Sequence, residues 1–251
     1  MQCRLSSKFD FVENTTGMNQ EIEIQQENTP SRKIQLVEFM VFVFLFLPSI
    51  VLSYFENTLN EDSFILTACA VIFHNISLVG LILFFLWRNG ESVRRIGWIP
   101  VGFAHEIWIG LILFIPFSVI IQLVGNLFLS LGLSAPPDPL PPFLAAQGPI
   151  EMFLALVLVT VVAIGEETIY RGYLILRLQA LMERNWVSLL ISSVIFAAGH
   201  GYEGSAGMAT VAVMGLAFAV VYLWRGNLIA PIVMHFLQDF IGIILLPLLG
   251  D

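Results

Sequence analysis

Val159-Thr160-Val161-Val162-Ala163-Ile164-Gly165-Glu166-Glu167-Thr168-Ile169-Tyr170-Arg171-Gly172-Tyr173 decides how the rest of the chain is read. An apolar helical run ends in two adjacent carboxylates, and Arg171 follows four residues after the second. Charges at the end of a membrane-length apolar segment are costly and persist mainly where they pair or do chemistry. Two later segments bring a histidine to a similar setting: Phe196-Ala197-Ala198-Gly199-His200 and His235-Phe236-Leu237-Gln238-Asp239.

The surrounding composition is that of a membrane protein. Of 251 residues, 57% are hydrophobic and only 12% are charged, with a mean hydropathy of +0.85. Soluble domains carry about a quarter charged residues. Many runs reach the roughly 20 apolar residues that span a bilayer core. Backbone groups in hydrocarbon must satisfy one another, so helices or closed barrels remain, and these runs are too long for barrel strands. The expected fold is an all-α, polytopic transmembrane bundle. A net charge of -8 argues against nucleic acid as a partner. Cys3 and Cys69 are too few and too differently placed to form a disulfide framework.

Residues 1–33 are polar, without the apolar segment of a cleaved signal peptide, and read as a loosely attached tail. Asn14-Thr15-Thr16 matches a glycosylation pattern that is common by chance. Seven spans are expected: about 36–55, 64–87, 101–131 (with Pro116 inside), 150–170, a short one at 186–200, 206–224 and 228–249. Basic residues follow alternate spans at Arg88, Arg94, Arg95, Arg171, Arg177, Arg184 and Arg225, whereas the 56–62 and 132–149 loops have none. The positive-inside rule then puts the N-terminus in the cytoplasm of a multi-pass protein, expected in a bacterial plasma membrane. The prolines of 136–142 forbid a helix and separate N-terminal helices (34–134) from a catalytic core (150–251). Leu174 to Met182 alternates apolar and basic residues, as an amphipathic helix along the cytoplasmic interface would.

Glu167 and Arg171 stand at i,i+4 with the acid first, the favourable order for a helix ion pair. Glu166 points about 100° away and is left without a local partner. A glutamate solvated at a helix C-terminus would oppose the macrodipole. His200 alone, or His235 alone, reads as a buried, hydrogen-bonded histidine. His235 with Asp239 one turn later inside a span is harder to explain by packing, because each group is costly there unless paired or hydrated. Three spans with ionisable groups suggest one polar cavity.

Other candidates carry less. His74 beside Asn75 suits an interhelical hydrogen bond, and His105-Glu106 looks interfacial. No His-Glu-x-x-His pair is present. Gly199 to Gly204 matches G-x-G-x-x-G, but without a preceding strand it reads as a tight turn.

Together the motifs resemble the CPBP intramembrane proteases, which include the type II CAAX prenyl endopeptidases and the Abi proteins. Glu-Glu-x-x-x-Arg stands at Glu166 to Arg171, Phe-x-x-x-His at Phe196 to His200, and His-x-x-x-Asn/Asp at His235 to Asp239. The resemblance covers about residues 150–245. It implies hydrolysis of a peptide bond in a membrane-associated substrate, with a prenylated CAAX protein as one candidate. Glu166 and His200 would activate a water, with Glu166 as general base. His235 with Asp239 would stabilise the oxyanion, and Glu167 with Arg171 would support the site. Glu166, His200 and His235 are also a ligand set for Zn²⁺, so the resemblance leaves a metal-dependent and a glutamate-dependent mechanism open. Asp239 departs from the asparagine typical of the prenyl endopeptidases, and can donate to an oxyanion only when protonated.

Two other classes fit some of the residues: a proton-coupled transporter, with polar groups spread through the bundle, and a non-catalytic immunity or scaffold protein that binds a peptide. Depth supplies the remaining expectation. Counting about 1.5 Å per residue puts Glu166 and His235 roughly 8 and 12 Å from the cytoplasmic boundary, and His200 about 21 Å. The site should then open toward the cytoplasmic half, with an irregular or steeply inclined fifth helix.

Overall fold

The computed structural model describes residues 30–54, 64–99, 102–135, 146–182 and 185–250. The readings of Asn14, the 56–62 loop, the prolines at 136–142 and Arg184 fall outside these. The described residues are almost wholly helical: α1 (Arg32–Ser53), α2 (Phe64–Arg88), a 3₁₀ turn (Val93–Ile96), α3 (Phe103–Ser130), α4 (Gly148–Glu166), a π-helix (Glu167–Leu174), α5 (Ile175–Leu181), α6 (Asn185–Ala198), a 3₁₀ turn (Gly201–Glu203), α7 (Gly204–Arg225), α8 (Ile229–Asp239), a second π-helix (Phe240–Leu245) and α9 (Leu246–Gly250). Six of the resulting helical rods are long and apolar enough to cross a bilayer, and Trp186–Ala198 is a shorter apolar helix. The protein is an integral, multi-pass helical bundle of about seven spans. Its lipid-facing residues are large and apolar, with Trp87 77% and Ile150 79% exposed.

The fourth span differs from its expected form. Residues 148–181 form one continuous rod, so 174–182 is no interfacial helix. Arg177 is fully buried, held by Glu38 of α1 and Glu91 after α2. Arg88 pairs with the same Glu38, and Arg95 with Glu91. Glu106 is buried too, accepting from Nε and Nη2 of Arg225 at 3.0 and 2.6 Å. The N-terminal helices thus carry buried carboxylates of their own. Arg32 donates to the carbonyl of Leu181 at 2.6 Å, so this basic end of the bundle is tied across α1 and α5.

The irregularity expected in the fifth span lies elsewhere. α6 is regular, whereas the backbone widens into π-helix directly after Glu166 and again directly after Asp239. π segments concentrate at functional sites. Around the first, Ser192 donates to the carbonyl of Tyr170 at 2.7 Å and the Trp98 indole donates to Thr168 Oγ1 at 3.1 Å. Gly165 and Gly172 make the approach possible. A Cβ on Gly165 would stand 2.5 Å from Asn75 Oδ1, and one on Gly172 2.7 Å from the Ile96 carbonyl oxygen.

An aromatic ladder crosses the core from α1 to α3. Phe46 meets Tyr170 at 5.7 Å, Tyr170 meets Phe196 at 5.0 Å, and Phe196 meets His235 at 5.9 Å. His235 stacks on Phe218 at 5.6 Å, which meets Phe117 at 5.0 Å. Each such pair adds about 0.5–1.5 kcal/mol beyond area burial. His235 is therefore a rung of the core.

Candidate active site

Glu167 is the fully buried hub of the polar cluster. Its Oε1 lies 2.8 Å from Arg171 Nη1 and 2.8 Å from His235 Nδ1. Since a carboxylate only accepts, the Nδ1 proton must sit on the histidine. Arg171 also donates through Nη2 to the carbonyl of Gly215 at 3.3 Å. Its guanidinium lies over the rings of Phe196 and Phe218, 4.3 and 5.2 Å from their centroids. A planar cation suits this box of aromatic faces. Arg171, expected at the membrane boundary, is instead 1% exposed.

Glu166 is placed differently. Its side chain is 19% exposed, and Oε2 stands 3.7 Å from His235 Nε2. That oxygen finds no hydrogen-bond partner among the described residues. Asp239 Oδ2 approaches the same Nε2 at 3.4 Å, with its side chain 21% exposed. His235 is thus flanked by three carboxylates.

His200 ends α6. Its Nδ1 lies 3.0 Å from the Phe196 carbonyl oxygen. A carbonyl only accepts, so a proton is again on Nδ1, and in the neutral ring Nε2 is then the acceptor. The ring packs on Phe196, with centroids 4.9 Å apart, and it lies within electrostatic reach of Glu166. The phenyl ring of Phe196 therefore contacts both imidazoles and Arg171.

The structure brings Glu166, Glu167, Arg171, His235 and Asp239 into direct contact and joins His200 to them through Phe196. Sequence reasoning missed three contributors: Phe196 as the shared wall, Gly215 as an acceptor for Arg171, and Glu203. The last lies on the turn after His200, within electrostatic reach of His200 and Asp239. An acid at the head of an apolar run was its available signal. By donor type Glu166, His200 and His235 suit zinc. Among the described residues, however, no three His, Cys, Asp or Glu side chains are gathered to hold a metal ion.

Depth also departs from expectation. Gly215, the acceptor for Arg171, is eleven residues from the start of α7 and ten from its end. At about 1.5 Å per residue it lies near the middle of the membrane. Exposure rises from Glu167, Arg171 and His235 toward Glu166, Asp239 and His200, away from the arginine-rich end rather than toward it.

Residues 148–241 match the Rce1-like family model, described as type II CAAX prenyl endopeptidase Rce1-like. The match spans all three motifs and supports placing this part of the chain with the CPBP/CAAX proteases. An uncharacterized 24.3 kDa protein of Escherichia coli is 28% identical over 128 residues, 48% of this chain and 58% of that protein. The chain thus spans somewhat more than half the length of this curated relative. No solved structure matches.

Proposed function

We propose that the chain is an intramembrane endopeptidase that cuts a peptide bond in a membrane-associated protein or peptide. The observation carrying this reading is the inequality of two adjacent carboxylates. Glu167 is engaged at 2.8 Å by both Arg171 and His235 through Oε1, whereas Glu166 comes only to 3.7 Å from His235, and the Oε2 of each acid is buried without a hydrogen-bond partner among the described residues. Such a group either receives a ligand or is a standing cost.

A water donating one hydrogen to Glu166 and the other to His200 Nε2 would satisfy both acceptors. Its free lone pair attacks the scissile carbonyl carbon while Glu166 takes its proton. The oxyanion that forms is stabilised by a donor on His235 Nε2. With Nδ1 already protonated, that requires the imidazolium, and the surrounding carboxylates are its counter-charges. Collapse of the tetrahedral intermediate breaks the C–N bond, and Glu166 returns its proton to the leaving amine. Asp239 in this scheme orients His235 and balances its charge. Buried charges elsewhere pair off in local groups near the basic end, which does not favour a proton relay through the bundle.

The test is proteomics of membrane peptides from cells carrying the wild-type chain or Glu166→Gln. Cleavage products present only with the wild type are expected; identical peptide sets would end the peptidase reading. Zinc on Glu166, His200 and His235 would require these side chains to draw closer. Stoichiometric zinc in the purified protein, with turnover lost on chelation, would establish it.

A further inference from the structure

The turn that carries His200 lies a full membrane thickness away from the arginines. Gly204, which follows this turn, opens α7, and Arg225 closes it after 22 residues. That is about 33 Å of helix, against a hydrocarbon core of about 30 Å. α1 gives the same measure independently. It runs 22 residues from Arg32 to Ser53, and the ring of the next residue, Tyr54, covers Gly201 so closely that a Cβ there would stand 2.9 Å from it. α3, longer at 28 residues, joins the same two ends. Its Glu106 end is paired with Arg225. Beyond its other end, Ser134 is hydrogen-bonded to Ser205 at 2.9 Å. Three helices therefore place Arg32, Arg88, Arg94, Arg95, Arg177 and Arg225 at one end of the bundle and the His200 turn at the other.

The polar cluster grades between these ends. Glu167, Arg171 and His235 are closed off at mid-depth, and the partly exposed groups, Glu166, Asp239, His200 and Glu203, lie on the His200 side. Arginine-rich ends stay in the cytoplasm. We infer that the site opens to the non-cytoplasmic face and that its substrate is a peptide segment presented from that leaflet, not a lipidated chain anchored in the cytoplasmic one. The substrate half of this inference rests on the peptidase reading; the sidedness does not.

Two exposed serines, each one atom away from cysteine, report the two faces. In a full-length background with Cys3→Ser and Cys69→Ala, Ser205→Cys reports the His200 turn and Ser92→Cys the arginine end. Spheroplasts are treated with a sulfonated, membrane-impermeant maleimide. Ser205→Cys should label in sealed spheroplasts and Ser92→Cys only after permeabilisation. The reverse pattern overturns the inference whatever the enzyme does. Glu166-dependent products recovered in the cytosol, with Ser205→Cys labelled from outside, would overturn the substrate half while leaving the peptidase reading intact. Products recovered outside support both. The absence of any Glu166-dependent product would end the peptidase reading and the substrate half with it, and labelling would still decide the face.

Discussion

Glu167 and His235, 68 residues apart in the chain, meet at 2.8 Å in a fully enclosed contact between the fourth and seventh spans. The same carboxylate oxygen faces Arg171. One acid therefore joins the helices that carry Glu166 and Arg171 to the one that carries His235 and Asp239, while Glu166 beside it stands 3.7 Å from the other nitrogen of the same histidine.

This division predicts opposite phenotypes for neighbouring residues. Arg171→Ala leaves Glu167 with His235 as its remaining close partner, and breaking a buried pair costs about 3–5 kcal/mol. Glu167→Gln should lose much of the same joint. Both should reduce folded yield and melting temperature in detergent. Glu166→Gln should elute and melt like the wild type and be inactive. A Glu166→Gln protein as unstable as Arg171→Ala would show that the roles are not divided.

Glu203 should tune the site rather than hold the fold. It sits half-buried on the turn after His200, within electrostatic reach of His200 and Asp239. Removing its charge with Glu203→Gln should lower turnover by about tenfold, equivalent to roughly 1.4 kcal/mol, with the melting temperature unchanged. An unaltered rate would remove Glu203 from the site.

The candidate site residues were legible because ionisable groups inside apolar runs are rare enough to stand out individually. Their depth was not. Arg171 looked like the end of a span because periodicity cannot distinguish an arginine facing headgroups from one boxed by Phe196 and Phe218. Arg177 misled for a related reason: its acceptors, Glu91 and Glu38, are 86 and 139 residues away. The π-helices at 167–174 and 240–245 have no compositional signature that sets them apart from ordinary helix.

Arg177 is the structural counterpart of Arg171 at the basic end. Arg177→Ala leaves the buried acids Glu38 and Glu91 with only their more exposed partners, Arg88 and Arg95, and should cost up to about 3–5 kcal/mol. Replacing all three by apolar residues of similar size should restore most of that loss, because desolvation of the whole group is then avoided. Thermal melts of the single and triple variants decide the point; a triple variant weaker than Arg177→Ala would refute it.

The closest helix approach beside the site gives a test of how rigidly Glu166 is held. Gly165 packs on Asn75 of α2, and an added Cβ would stand 2.5 Å from Asn75 Oδ1 and 3.0 Å from its Cβ. Gly165→Ala must therefore push α4 away from α2. Overpacking of this kind costs about 1–3 kcal/mol, and the displaced residue is the immediate neighbour of Glu166. Misplacement by about 1 Å can cost on the order of a hundredfold in rate. Asn75→Ala alone removes the obstructing amide and its bond to the Val71 carbonyl, without moving α4, and should be nearly neutral for turnover. The double variant should recover part of both stability and rate, because Asn75→Ala removes the Oδ1 and Cγ contacts at 2.5 and 3.1 Å while the Cβ at 3.0 Å stays. Measured as a cycle, the rates should show strong positive coupling. Additive losses would mean that Gly165 matters for the helix backbone itself and that its contact with Asn75 does not set the position of Glu166.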